Sequence, residues 1–227
     1  MARGRLIASV LLLIVLGTAG FAVGRLMLSG GGGTEAEQPK LLDVIEERQQ
    51  TEQKEPRFTG ELLGIFLAPS LDQMPPAVQE EHKRLTAGGC ATIPLEQAQS
   101  LEFPRPLEMP PGYTLKEGMP QATACSGKPS GVRYEYDVLG ANNIPAHLTV
   151  GRGVSKIATP QSPASRISTA LIGGREAILI RPFTPDGLAQ TSEVIFPEPF
   201  GMTDIYAFNL SEAALLEVAE AVAKASQ

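Results

Sequence analysis

The stretch Gly131–Val150, GVRYEYDVLGANNIPAHLTV, decides the fold of this chain. Its first half alternates strictly between large apolar side chains and charged ones. The apolar positions are Val132, Tyr134, Tyr136 and Val138, and the charged positions between them are Arg133, Glu135 and Asp137. A period of two is typical of a β-strand with one buried face and one wet face. Ala146, Leu148 and Val150 repeat it after the turn residues 140–145, so the stretch predicts an antiparallel hairpin.

The segments that follow predict more strands of the same sheet. Ile167–Ile172 and Arg175–Phe183 flank Gly173-Gly174, a pair that accepts the positive φ angles of a tight turn without steric cost. Glu193–Phe196 and Asp204–Phe208 extend the pattern to an antiparallel meander of six or seven strands.

A helix is predicted to close the domain. Ser211 can cap it, because its hydroxyl can accept a hydrogen bond from a backbone N–H of the first turn. Lys224 falls in the last turn, where the helix dipole favours a cation. The apolar positions on one side are Leu215, Val218, Ala219 and Val222. The sequence therefore predicts an α+β fold in which this C-terminal helix packs on one face of the sheet.

Two shorter elements are predicted upstream. Phe58–Ala68 is an apolar run between prolines and fits either a buried strand or a short helix, which periodicity does not distinguish. Pro75-Pro76 predicts the start of a helix that ends at Gly88-Gly89.

The N-terminal segment Leu6–Leu28 predicts a signal-anchor transmembrane helix over residues 1–28. Its charge-free part would be about 28 Å long as a helix, close to the roughly 30 Å hydrocarbon core. Arg3 and Arg5 precede it, so we expect the N-terminus in the cytoplasm and the remainder of the chain outside the cell membrane. The alternative is a cleaved signal peptide of a secreted or periplasmic protein, with a cleavage site at Gly20–Ala22.

Residues 29–57 are predicted to be a linker with a juxtamembrane helix at about residues 39–53, and residues 58–227 one extracytoplasmic domain. The apolar cluster Leu41–Ile45 gives barely one heptad, too little for a coiled coil, so the oligomeric state stays open. Gly20 and Gly24 have the spacing at which transmembrane helices approach closely, which would suit a subunit of a membrane complex.

Composition limits the partners and the compartment. Apart from Arg3, Arg5 and Arg25 beside the span, 16 basic residues face 25 acidic ones, which argues against nucleic acid. Cys90 and Cys125 are the two cysteines, and in an oxidising compartment an even pair predicts a disulfide. The alternative is a reactive thiol or metal ligand, although neither lies in a CxxC or Cys/His spacing.

Short motifs between Thr92 and Ala225 resemble a known family. The matching residues are Glu96-Gln97-Ala98-Gln99, Phe103-Pro104, Met109-Pro110-Pro111-Gly112-Tyr113 and Asn209-Leu210-Ser211. They are similar to an uncharacterised bacterial extracytoplasmic domain of unknown function found in anti-sigma-like and sporulation-associated membrane proteins. The resemblance implies a short helix, several antiparallel strands and a closing helix. Pro197–Phe200 stands where such domains often carry a Trp, and because few residues precede the predicted span we do not expect an anti-sigma role.

The sequence contains no recognisable catalytic constellation. HExxH, GxSxG and P-loop motifs are absent, and Gly151–Lys156 fits the end of a hairpin better than a phosphate loop. Cys125 and His147 are the one Cys/His pair that could act as nucleophile and base, but the predicted disulfide occupies the thiol. We therefore expect no enzyme activity, no cofactor and no metal.

The remaining hypothesis is non-catalytic binding or sensing of an envelope protein or an apolar ligand. Its candidate ligand or partner face is formed by Tyr113, Tyr134 and Tyr136, for which core packing is the alternative role. A second hypothesis is an accessory or assembly subunit of a membrane complex.

Overall fold

A computed structural model describes residues 55–101, 109–140 and 143–225. The predicted anchor with Gly20 and Gly24, the predicted juxtamembrane helix and the Phe103-Pro104 motif lie outside the described residues. Within those ranges, no helix combines the length and the apolar character needed to cross a membrane.

The described part of the chain forms twelve strands and two α-helices. The strands are β1 (Gly60–Leu62), β2 (Ile65–Leu67), β3 (Cys90–Ile93), β4 (Thr114–Leu115), β5 (Gln121–Cys125), β6 (Lys128–Leu139), β7 (Pro145–Gly153), β8 (Ile157–Ala158), β9 (Ile167–Ile172), β10 (Arg175–Ile180), β11 (Thr191–Glu198) and β12 (Gly201–Phe208). The helices are α1 (Pro76–Thr86) and α2 (Glu212–Ala225), and Leu95–Leu101 forms a 3-10 helix where the sequence predicts a short helix. The helix predicted after Pro75-Pro76 is α1.

Nine of the strands form one antiparallel main sheet, in the order β3-β5-β6-β7-β12-β11-β10-β9, with β4 beside β6. This confirms the predicted α+β class, although the six or seven strands expected were too few. The additional strands are short and give little pattern: β4 has two residues, and three of the four residues of β3 are exposed. In β5, alanines supply the buried positions. Small side chains do not produce the apolar alternation on which the prediction relied.

The hairpin predicted from Gly131–Val150 is confirmed as β6 and β7. Tyr134 pairs with Val150 and Tyr136 with Leu148, so the apolar positions of both strands share one face. Gly173 and Gly174 form the tight turn between β9 and β10, with φ angles of 57° and 83°.

One side of the main sheet, the helix face, carries the principal core and packs against α2. The four predicted apolar positions of α2 are all fully buried there. They contact sheet residues that include Leu148, Val194, Phe196 and Ile205. The backbone N–H of Ala214 donates to Ser211 Oγ at 3.2 Å, so Ser211 caps the helix as predicted.

The other side, the cleft face, is covered by a second, three-stranded sheet of order β1-β2-β8. Phe58–Ala68 contains the β1–β2 hairpin of this sheet, which turns at Leu63-Gly64. Ile65 and Leu67 of β2 belong to the same buried cluster as Ile178, Ile180 and Ile195 of the main sheet. The small sheet thus packs near β10 and β11.

Cys90 and Cys125 form the predicted disulfide. They lie directly opposite each other on β3 and β5, with Cα atoms 4.1 Å apart. The bridge joins two short strands at one edge of the main sheet.

Candidate functional site

A cavity of about 270 Å³ opens on the cleft face, where the segment after β8 passes over the main sheet. From that segment come Thr159, Pro160, Gln161 and Ser162. The sheet contributes Ile180, Thr191, Glu193 and Tyr206. We refer to these eight residues as the cleft.

Strand alternation places Glu193 and Tyr206 in the cleft. In β11, Val194 and Phe196 point to the core on the helix face, so Glu193 and Ile195 point to the other side. In β12, Ile205 and Ala207 point to the core, so Asp204 and Tyr206 point to the cleft face. Glu193 pairs directly with Tyr206, and Asp204 lies one diagonal step away, opposite Ile195.

Glu193 is a carboxyl group without a cation. Burial, and to a smaller extent the neighbouring Asp204, raise its pKa from 4.5 to about 8. Among the described residues no Lys, Arg or His forms an ion pair with it. Glu193 is therefore largely protonated at neutral pH as long as the cleft holds no positive charge.

The Asp204 side chain points away from the cavity, toward β7. Its strand partner there is Gly151, and a Cβ on Gly151 would come within 2.5 Å of Asp204 Oδ1. Burial raises the pKa of Asp204, and its own backbone hydrogen bond and Arg133 oppose that shift. Gly151 therefore leaves the space in which the Asp204 carboxyl group lies, while Glu193 is the carboxyl group that lines the cavity.

Beyond Tyr206, the cleft face continues as a charged surface on β4, β6 and β7. The Lys116 ammonium lies 3.4 Å from Asp137, 3.7 Å from Glu135 and 3.2 Å from Nδ1 of His147. Burial, followed by the charge of Lys116, lowers the pKa of His147. Arg133 pairs with Glu135 at 3.1 Å. These basic and acidic side chains form ion pairs with one another, whereas Glu193 forms no ion pair with a described residue.

The three tyrosines singled out from the sequence lie together, but on the helix face. Tyr136 is buried in the core with 5% exposure, and Tyr113 and Tyr134 pack partly buried against the same cluster. Burial raises the pKa of all three hydroxyl groups. The structure does not bring them to the cleft, and a binding role for them stays a prediction.

Cys125 and His147 do not form a nucleophile and base, because the thiol is consumed in the disulfide. Within the described ranges, no three or more His, Cys, Asp and Glu side chains are grouped as metal ligands.

A second concavity of about 390 Å³, the groove, lies between α1 and the β11–β12 turn. Its lining includes Val78, Leu85, Ile157 and Phe200. Phe200 is 88% exposed, which is unusual for so large an apolar side chain at the edge of a concavity.

Sequence reasoning missed Glu193, Tyr206 and Gln161 as site residues. The available signal was a single acid in each of two otherwise uncharged stretches, TSEVIF (191–196) and MTDIYAF (202–208). An acid on the face of a strand away from the core usually meets solvent, so only the covering segment 159–162 distinguishes Glu193 from an ordinary surface residue.

Comparison with protein-family models, curated proteins and solved structures found no match for this chain. The resemblance of residues 92–225 to an extracytoplasmic domain family therefore stays a prediction.

Proposed function

We propose that the chain is a single-pass, membrane-anchored extracytoplasmic domain that binds a small ligand in the cleft without transforming it. The observation that carries this proposal is the cavity of about 270 Å³ with an unpaired carboxyl group in its wall. A concavity whose wall carries a partly buried acid with a strongly raised pKa is a typical place for a ligand to bind.

The lining supports binding rather than catalysis. Acid–base catalysis by two carboxyl groups needs both within reach of the same bond. Of the acidic pair, Glu193 lines the cavity and Asp204 leans toward Gly151. The other lining residues are hydroxyl, amide, proline and aliphatic side chains, together with the phenol of Tyr206 on the interior strand β12.

The compartment is supported by two independent features. The Leu6–Leu28 segment has the length and flanking charges of a span with its N-terminus in the cytoplasm. The disulfide favours an oxidising space for the folded domain. Carbonate-resistant membrane association, together with proteolysis of the domain from outside only, would support this placement. A soluble cytosolic chain with both thiols reduced would refute it.

The binding role can be tested by filling the cleft. We expect protein purified from its native membranes to retain a small molecule, measured by mass spectrometry after denaturation, and Thr191→Phe to lose it. Thr169→Phe is the matched control, because Thr169 is exposed on β9 of the same sheet. Equal retention by Thr191→Phe, or chemical conversion of the retained molecule on incubation, would contradict the proposal.

A second candidate function, an accessory subunit of a membrane complex, is favoured by the groove. Its occupant would be an apolar segment of an envelope protein, since Phe200 presents most of its ring to solvent beside Pro199. Replacing Phe200 by Ser should abolish cross-linking to such a partner in native membranes. Phe183→Ser is the control, because Phe183 is another exposed Phe that does not line the groove.

A further inference from the structure

We infer that the cleft takes the protonated amino group of a small organic amine, with Glu193 as its counter-ion. This inference rests on the proposed binding function and adds the chemical class of the ligand. It stands on the size of the cavity, the hydrogen-bonding character of its wall and the distribution of charge around Glu193.

The cavity limits the ligand to a small molecule or the tip of a larger one. Its volume of about 270 Å³ equals that of about nine water molecules in the liquid. Pockets for drug-sized ligands begin at about this volume. A monoamine with a short aliphatic chain fits, and the methyl groups of Ile180 and Thr191 offer that chain an apolar wall.

The wall is rich in hydrogen-bond acceptors. Gln161 directs its amide nitrogen to the backbone carbonyl oxygens of Pro69 and Thr159, at 2.9 and 3.3 Å. Gln161 is exposed, and its carbonyl oxygen can accept a hydrogen bond from a ligand. Glu193 and the hydroxyl groups of Thr159, Ser162 and Thr191 add further acceptors. An ammonium group brings three donors and no acceptor, which suits such a wall.

The charge of the surroundings selects against anions. No Lys, Arg or His is among the eight lining residues. The groups that face Glu193 from β12 are Tyr206 and Asp204, and the same cross-strand row continues through Thr149 of β7 to Glu135 of β6. Ile180 of β10 and the segment 159–162 contribute no titratable group. The nearest described cations already have partners, since Arg166 donates to the backbone oxygens of Arg181 and Thr191 and Arg133 pairs with Glu135. A carboxylate or phosphate ligand would therefore meet mainly acids.

Amine binding should release a proton from Glu193. Without a cation, burial keeps the pKa of Glu193 at about 8, so the carboxyl group is mostly protonated at pH 7. An ammonium group in contact with it favours the carboxylate and lowers that pKa. A neutral ligand would leave the proton in place. The ionisation state of Glu193 therefore reports the charge of the ligand.

The experiment uses the full chain in detergent micelles and three probes of the same length: butylamine, 1-butanol and butyrate. Binding is followed at pH 7 by NMR, from the backbone amides of Glu193 and Tyr206 and from the side-chain carboxyl carbon of Glu193. We expect butylamine to bind at least about tenfold more tightly than the other two probes. Only butylamine should move the carboxyl signal to its ionised position.

Two variants and one control distinguish the effect of the Glu193 charge from the effect of the cavity volume. Glu193→Gln should weaken butylamine about tenfold while leaving 1-butanol unchanged, and Thr191→Phe should block all three probes. Glu176→Gln is the matched control, because Glu176 is exposed on the same face of the main sheet. Spectra of residues far from the cleft verify folding of each variant.

The outcomes separate this inference from the proposed function. Tighter binding of 1-butanol or butyrate, or full butylamine affinity in Glu193→Gln, would overturn the amine assignment. If native-membrane protein nevertheless retains a molecule that Thr191→Phe loses, the binding function stands and its ligand is not an amine. If no probe and no native molecule binds, both proposals fail.

Discussion

Glu193 and Glu198 lie five residues apart on the same strand and point to opposite faces of the main sheet. Their carboxyl groups differ in whether they have cationic partners. On the helix face, Glu198 accepts hydrogen bonds from Arg175 at 3.0 Å and from the Thr203 hydroxyl at 2.7 Å. Arg152 adds an ion pair at 3.5 Å. On the cleft face, Glu193 has no cation among the described residues, and burial raises its pKa to about 8.

The difference shows that an unpaired acid is not a general property of this sheet. Glu198 is surrounded by two arginines and a hydroxyl group. One of these arginines, Arg175, also stacks over the Phe196 ring at 4.8 Å. An acid left without such partners costs stability when it ionises. Glu193 therefore makes better sense as part of a site than as part of the framework. The four predictions that follow test this contrast.

The largest effect is expected from Glu193→Gln, and it depends on pH. The folded-state pKa of Glu193, about 8, lies above its unfolded value of 4.5. Between these values the folded chain holds a proton that the unfolded chain has released, so the free energy of unfolding of the wild type falls as pH rises. Gln does not titrate. Relative to the wild type, we expect the variant to gain about 4 kcal/mol between pH 5 and pH 9.

This prediction is measured by urea unfolding of both proteins at several pH values. Glu176→Gln provides the comparison for an exposed acid and should run parallel to the wild type throughout. A constant difference between Glu193→Gln and the wild type from pH 5 to pH 9 would show that Glu193 is paired or solvated in the folded chain.

A smaller effect of opposite sign is expected from Glu198→Gln. The amide keeps one acceptor oxygen but loses the charge, so Arg152 and Arg175 both lose the Glu198 carboxylate as an ion-pair partner. We expect a loss of about 2 kcal/mol in the free energy of unfolding at pH 7. Equilibrium unfolding in urea measures it. A neutral result would mean that Glu198 is no better paired than Glu193 and would remove the contrast.

The parts of the fold that were predictable from sequence are those whose pattern is local. The β6–β7 hairpin shows its alternation of apolar and charged side chains over adjacent residues. The pair Gly173-Gly174 is enough to indicate the β9–β10 turn, and Ser211 directly precedes the helix that it caps. In each case the residues that make the structure are neighbours in the chain.

The cleft could not be predicted because its parts are distant in sequence. Its cover depends on parallel pairing of β2 with β8, in which Phe66 meets Ile157. No local pattern specifies that contact. The alternation of β11 and β12 indicates which face Glu193 and Tyr206 occupy, but not that residues 159–162 enclose them. The disulfide, by contrast, followed from the presence of two cysteines and the expected compartment.

A third prediction concerns the hydroxyl group that helps to hold Glu198. Thr203→Val has nearly the same shape and removes the 2.7 Å hydrogen bond to the carboxylate. Because Arg175 still binds that carboxylate, we expect a loss of only about 1 kcal/mol in the free energy of unfolding. Thr169→Val, at an exposed position of β9, is a suitable comparison. If Thr203→Val is as stable as the wild type, the hydroxyl adds nothing to the pairing of Glu198.

The smallest effect is expected from Asp204→Asn, which separates the two causes of the unusual state of Glu193. Burial is the larger cause of the raised pKa and the charge of Asp204 the smaller one. The variant should therefore lower the pKa of Glu193 below about 8 but leave it well above 4.5, because the burial of Glu193, the larger cause, is unchanged. Titration of the Glu193 side-chain carboxyl carbon by NMR measures this directly. A return to about 4.5 in Asp204→Asn would mean that repulsion between two acids, and not their enclosure, explains the contrast with Glu198. In that case the cleft would be an open acidic surface. Its selectivity for an ammonium group over a neutral alcohol would then fall with increasing salt, because salt screens exposed charges much more than buried ones.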